Sequence, residues 1–377
     1  MEIKYFATCT FGLEAVVKRE LERLNMDNIA TSDGRIDFTG DFLALAKANL
    51  WLRSADRVMI NFGEFDAFSF EDLFQGVKSL PWGDILDKNA KFIVNGKSVR
   101  SQLFSVSDCQ AITKKAIVEK LKEKYNIEWF EETGEEYKIQ VGILKDRVTI
   151  AIDTTGPGLN KRGYRENAVT APLKETLAHA LIDLSYWNKN RILADTMCGS
   201  GTIPIEAAMV ARNIAPGLSR QFAAESWPHI GIDIWKNARK EAYAAMVQDV
   251  DIHIHGSDID PRAIEQAKHN ARLAGVDDII YFENLPATDY KPDGKYGVLI
   301  SNPPYGSRIG NFDEIKELYY GLKRFLNANP TWSMYLLTAD EEIEKYLSKR
   351  ATKKRKLYNG NMKTDYYQFV GPRPPKA

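Results

Sequence analysis

Cysteine is scarce in this chain: 377 residues hold three, Cys9, Cys109 and Cys198. They lie too far apart for zinc or redox spacings, which excludes a disulfide scaffold and a Cys-ligated metal. The thiols are expected to be free in a reducing compartment. Net charge is missing too, since 51 Lys and Arg balance 51 Asp and Glu. That balance excludes a uniformly basic nucleic-acid binder but leaves room for local patches. No apolar run approaches the roughly 20 residues that span a bilayer. The N-terminus lacks a basic stretch leading into an apolar signal core. No membrane partner and no required metal are therefore expected, and the expected location is cytoplasmic. Repeats and low-complexity segments are also lacking. What remains, 44% hydrophobic and 27% charged, is the composition of a soluble globular chain. Its length calls for more than one domain.

Three parts are expected. In residues 1–65, stretches 3–8, 35–38 and 58–62 read as strands and 13–24 as a helix. Asp41 is placed to cap a further helix running to Trp51. This order fits a small α+β, ferredoxin-like domain. Residues 66–155 form a second α+β unit: strand-like runs at 91–96, 137–141 and 147–153, with a Lys-rich helix over 109–124. Gly156-Pro157-Gly158 breaks the pattern and marks the boundary to residues 156–377. From Pro172 onward apolar strands alternate with amphipathic helices, the mark of an α/β, doubly wound parallel sheet. Asn359-Gly360 predicts an antiparallel hairpin closing that sheet.

Two motifs carry the chemistry. Asp195-Thr196-Met197-Cys198-Gly199-Ser200-Gly201-Thr202 follows an apolar strand and precedes a helix. A Gly-x-Gly turn there lets backbone N–H groups approach a nucleotide-like cofactor. Asp258 ends the next strand, where a carboxylate can accept hydrogen bonds from ribose hydroxyls. Asp260, before Pro261, reads as a helix cap. Residues 213–248, between the turn and Asp258, are an insertion that a minimal nicotinamide-binding unit lacks.

Asn302-Pro303-Pro304-Tyr305 ends a later apolar strand. A planar amine is a poor nucleophile because its lone pair is delocalised. The Asn302 side-chain oxygen and the Pro303 carbonyl can each accept one N–H, and proline fixes φ so that the carbonyl is held in place. Tyr305 offers a face on which an extruded base can stack. The two motifs together predict S-adenosylmethionine-dependent methylation of an exocyclic or amide nitrogen, with catalytic Asn302, Pro303 and Tyr305.

These motifs resemble those of the bacterial RNA guanine-N2 methyltransferases that carry a THUMP domain. The supporting segments are Lys161-Arg162-Gly163-Tyr164-Arg165, Ala171-Pro172-Leu173-Lys174-Glu175, the turn from Met197 to Thr202, Asn213-Ile214-Ala215-Pro216-Gly217 and the Asn302 cradle. Ser101-Gln102-Leu103-Phe104 and the helix after it resemble a THUMP module. The resemblance implies a seven-stranded class I methyltransferase domain behind ferredoxin-like and THUMP domains. It implies methylation of a guanosine N2 amine in large-subunit (23S) rRNA or a pre-ribosomal particle, with S-adenosylhomocysteine as product. The cofactor residues it implies are Asp195, Cys198, Gly199, Gly201, Thr202, Asp258, Ile259, Asp289 and Asn302, with Pro172. Two positions depart from the family: Thr196 stands in place of proline, and Pro286 stands where an acid would meet the adenine amine, leaving Asn284 or Asp289.

Lys97, Arg100, Lys114 and Lys115, then Arg162 and Arg165, form the expected RNA-binding set, since clustered cations neutralise phosphates. DNA adenine-N6 methylation, protein glutamine methylation and an inactive RNA-binding assembly factor remain alternatives, because the same cradle suits any planar nitrogen.

Overall fold

The computed structural model describes residues 2–165, 173–304 and 312–375. Seven strands of the first half form one sheet: β1 (Ile3–Thr8), β2 (Asp27–Ser32), β3 (Arg35–Gly40), β4 (Arg57–Asp66), β5 (Lys91–Val99), β6 (Glu136–Leu144) and β7 (Arg147–Asp153). Their order is β2-β3-β1-β4-β7-β6-β5. Helices α1 (Glu14–Arg23), α2 (Phe42–Trp51), α3 (Phe70–Lys78) and α4 (Val106–Tyr125) connect them. Burial alternates along β5 and β6, as in a sheet with one face on a core and one in water.

The elements from β1 to β4 run βαββαβ, the ferredoxin-like pattern. Asp41 caps α2 as its sequence suggests, accepting the Ala44 N–H at 2.9 Å. Strand β2 has no buried position, so no hydrophobic periodicity marks it in the sequence. Helix α3 also escaped the sequence reading, although Ser69 and Asp72 form a reciprocal capping box at its start. β4 pairs with β1 on one side and β7 on the other. The division expected at 65/66 therefore falls at the end of a strand that both parts share.

The second sheet holds β8 (Leu193–Asp195), β9 (Ile254–Asp258), β10 (Ile280–Asn284), β11 (Val298–Ser301), β12 (Ser333–Thr338), β13 (Lys353–Asn359) and β14 (Met362–Phe369). The order is β10-β9-β8-β11-β12-β14-β13, with β14 antiparallel to both neighbours. Its helices are α5 (Glu175–Leu184), α6 (Thr202–Ala211), α7 (Ile232–Ala244), α8 (Pro261–Ala274), α9 (Phe312–Ala328) and α10 (Ile343–Leu347). Every residue of β8, β11 and β12 is buried. Central strands of a parallel sheet are covered on both faces, which is why they read as unbroken apolar runs. The strand order reverses between β8 and β11, the crevice where such sheets bind ligands. The hairpin expected at Asn359-Gly360 closes β13 onto β14, with Gly360 at φ 63°.

The insertion before β9 joins the two halves. The Gly217 N–H donates to the Leu50 carbonyl at 2.9 Å, and the Ala224 N–H to Thr154 at 3.1 Å. The Arg53 guanidinium donates to the Ile214 carbonyl at 2.6 Å. Trp227 stacks on Tyr137 of β6, ring centroids 4.5 Å apart. One buried cluster consequently spans both halves, from Tyr5 to Tyr366, with a second cluster around Tyr319, Trp332 and Tyr367.

Candidate active site

A cavity of about 600 Å³ opens over the C-terminal ends of β8, β9 and β11. The turn after β8 forms its floor. Asp195 is buried, and its Oδ1 accepts the Ser301 hydroxyl at 2.7 Å and the Met197 N–H at 3.2 Å. Burial pushes its carboxyl up to about 7, the Ser301 and Met197 bonds opposing that and the Asp258 charge adding to it. Cys198 also lines the cavity, but burial holds its thiol well above the usual range, so it is no thiolate nucleophile.

Gly199 faces open space at φ +53°, and its N–H donates to Asp258 Oδ2 at 2.8 Å. Asp258 Oδ1 accepts the Asp260 N–H at 3.0 Å. Both oxygens keep lone pairs, and Asp258 lines the cavity beside Ile259. Asp260 caps α8 through the Arg262 N–H at 2.9 Å with Pro261 behind it. The ribose candidate and the capping residue are thus in different positions, as their sequence contexts suggest.

Three candidate cofactor residues, Gly201, Asp289 and Asn284, are not among those that line the cavity. Gly201 is not on the cavity wall. At φ +81°, a Cβ there would lie 2.9 Å from the Ala267 Cβ and 3.2 Å from the Phe282 ring, so this glycine permits close packing of the turn on α8 and β10. Asp289 is exposed and off the wall, which Pro286, Ala287 and Thr288 form instead. Asn284, the other candidate for the adenine amine, commits its amide to the carbonyls of Asp258 and Ile259 at 2.8 and 3.0 Å. Thr202 does line the cavity. Pro172 and Tyr305 lie outside the described residues.

Asn302 follows β11 and sits on the same wall as the cofactor turn. Its Oδ1 is buried with no hydrogen-bond partner among the described residues. A buried acceptor in that state carries a desolvation penalty that a bound N–H would relieve. Pro303 is buried and Pro304 lines the cavity. The sequence reading missed Ser301, although a serine ending a buried apolar strand needs a partner and so signals one. It also assigned no contact to Thr196, whose Oγ1 is likewise buried without a partner.

The cation set divides. Lys97, Arg100, Lys114 and Lys115 are exposed, though Lys114 pairs with Glu132 at 3.4 Å. Arg162 is 3% exposed. Its guanidinium pairs with Glu206 and donates to the carbonyls of Leu159 and Arg53. Arg165 is half-buried against Glu175 at 3.2 Å and donates to Thr202 Oγ1 and the Leu173 carbonyl. Arg165 braces Leu173 and Thr202 of the cavity wall, and both arginines line a second cavity with Lys161 and Arg220. Among the described residues no group of three or more His, Cys, Asp or Glu could hold a metal ion. None of the described helices is long and apolar enough to cross a membrane.

The reversed strand order, the glycine turn, the carboxylate at the second strand tip and the Asn-Pro-Pro cradle define a class I methyltransferase domain. The chain belongs to the family whose model is described as RMKL-like, methyltransferase domain, matched over residues 162–368. An RlmL ferredoxin-like domain matches 4–59 and a THUMP domain 67–153. Among its relatives is the "Putative RNA methyltransferase YpsC" of Bacillus subtilis (strain 168), 46% identical over 96% of this chain and 94% of that protein. The crystal structure of a "predicted N6-adenine-specific DNA methylase" from Listeria monocytogenes str. 4b F2365 is 48% identical. It superposes with a TM-score of 0.95 over 99% of this chain and 97% of that one. SMU.472, "a putative methyltransferase complexed with SAH", is 43% identical with a TM-score of 0.94, covering 99% of both chains.

Proposed function

We propose that this chain transfers a methyl group from S-adenosylmethionine to the exocyclic N2 amine of a guanosine in RNA, in large-subunit rRNA, within the cytoplasm. The observation that carries the reading is the unpartnered, buried Asn302 Oδ1 on the wall that also bears the cofactor turn. The residues present suit this cofactor. The acids Asp195 and Asp258 match an α-ammonium and a ribose diol, and Ile259, Pro286 and Ala287 offer apolar surface for adenine. When bound, the cofactor supplies an electrophilic methyl on sulfonium. Asn302 Oδ1 and the Pro303 carbonyl accept the amine's two N–H bonds, concentrating electron density on nitrogen as it becomes tetrahedral. No strong general base is needed, because the cationic product nitrogen sheds its proton readily. The remaining catalysis is orientation for in-line attack.

RNA as substrate is supported by the THUMP match and by the name of the Bacillus relative. Guanine N2 and rRNA rest on the motif resemblance. Lys97, Arg100 and Lys115 are the proposed phosphate contacts, exposed on the THUMP part. A second reading, adenine-N6 methylation of DNA, is favoured by the name that the Listeria protein carries. Tritiated methyl transfer from S-adenosylmethionine to RNA, DNA and protein pools separates the two. Labelled N2-methylguanosine after digestion of RNA is the expected result; label confined to N6-methyladenine in DNA overturns it.

A further inference from the structure

The β11 strand reaches the cofactor turn through one side chain. Ser301 is fully buried, and its Oγ lies 2.7 Å from Asp195 Oδ1 and 3.2 Å from the Thr196 backbone nitrogen. A hydroxyl has one proton. The Thr196 N–H occupies its acceptor side, so that proton goes to Asp195. The next residue in the chain is Asn302. One hydroxyl therefore fixes both the acid at the end of β8 and the strand end that carries the amine cradle.

Asp195 is also short of a counter-charge. It is 2% exposed, and among the described residues no cation pairs with it. The groups acting on it are Ser301 on β11, the Met197 N–H and the neutral Cys198 thiol on the turn, and the Asp258 carboxylate on β9, which repels its charge. Glu314 and Glu317 of α9 line the same cavity. A buried acid on a cavity wall, without a cation and with an anion nearby, is neutralised by a proton at low pH or by a bound ammonium.

We infer that Ser301 is a positioning residue, through which the acid that receives the cofactor's α-ammonium and the Asn302 cradle are held in one arrangement. The inference rests on the cofactor assignment made above and adds the coupling. Ionised Asp195 is the stronger acceptor for the Ser301 proton. An ammonium that ionises Asp195 therefore tightens the bond that seats β11, and the cradle is firmest when the methyl donor is present.

The test uses full-length Ser301→Ala and Asp195→Asn, with S-adenosylhomocysteine affinity measured by calorimetry from pH 5.5 to 7.5 and methyl transfer measured at saturating S-adenosylmethionine. In the wild type, affinity rises with pH as Asp195 ionises. Ser301→Ala moves that rise upward by about one pH unit, since one charge-assisted bond to the ionised form is lost. It also lowers kcat about ten-fold or more, with circular dichroism unchanged. Asp195→Asn flattens the affinity profile. A folded Ser301→Ala with the wild-type pH profile, or with unchanged kcat at saturation, overturns the proposal. A wild type that binds no S-adenosylhomocysteine at any pH overturns it together with the cofactor assignment. Methylation of DNA instead of RNA overturns the substrate reading alone, and the affinity profile still decides Ser301.

Discussion

Arg162 and Glu206 form a buried ion pair, Nε to Oε1 at 3.3 Å, with their side chains 2% and 0% exposed. Tyr164 donates to the same Glu206 oxygen at 3.2 Å, and Arg162 continues to the Arg53 carbonyl in the N-terminal half. Glu206 lies on α6, the helix that opens at the cofactor turn. The pair thus joins the cavity's supporting helix to the ferredoxin-like part.

Breaking one partner leaves an uncompensated buried charge. Arg162→Met or Glu206→Leu alone should cost about 3–5 kcal/mol, and the double substitution clearly less than the sum. Urea unfolding with both singles and the double measures this. Singles within 1 kcal/mol of wild type would show that the pair bears no stability.

Asn302→Ala should lower methyl transfer by on the order of 10²–10³, the scale of losing one positioned hydrogen-bonding group at a reacting centre. Affinity for S-adenosylhomocysteine should stay within a few-fold, because the Asn302 oxygen is proposed to meet the amine. Calorimetry and a single-turnover assay on the same preparation separate the two effects. Lost cofactor binding with no residual turnover would place Asn302 among the cofactor ligands instead.

Legibility in the sequence followed the range of the interactions. β11 was readable because Val298, Leu299 and Ile300 form the unbroken apolar run of a central parallel strand, with Ser301 and Asn302 directly after it. Asp258 and Asp260 were separable because a cap is a local device and Pro261 advertises it. Arg162 was misread: Lys161-Arg162-Gly163-Tyr164-Arg165 looks like a solvated basic cluster, and its burial depends on Glu206, 44 residues further on. The sharing of β4 was equally hidden, since register between distant strands leaves no local trace. Helix α3 differs, because the Ser69 and Asp72 spacing was a local signal available to be read.

The exposed cations should not contribute equally to RNA binding. Lys97 and Arg100 occupy the end of β5 and the residue after it, and no carboxylate among the described residues forms an ion pair with either. Lys114 is already partnered by Glu132. Lys97→Ala and Arg100→Ala should each reduce the slope of log K against log salt by somewhat under one unit, and Lys114→Ala by less. Filter binding to rRNA fragments between 50 and 200 mM salt, conditions chosen from the range where that dependence is steep, measures the slopes. Equal effects at the three positions would mean that Glu132 releases Lys114 on contact with RNA.

Asp195 ties stability to pH in a definite direction. Its folded carboxyl titrates at about 7, pushed up mainly by burial, against an unfolded value near 3.9. The folded chain therefore holds this proton more tightly than the unfolded chain. The contribution favours the fold fully below about pH 4 and is lost as pH rises to about 7. In the proposed complex, a bound α-ammonium replaces the lost proton as the group that neutralises Asp195. The rise in melting temperature produced by saturating S-adenosylhomocysteine should consequently be larger at pH 7.5 than at pH 5.5. Asp195→Asn removes the titration, so its ligand-induced shift should be nearly the same at both pH values. A wild-type shift that is equal at the two pH values, with ligand saturating at each, would mean that the ammonium binds elsewhere and that Asp195 stays protonated throughout.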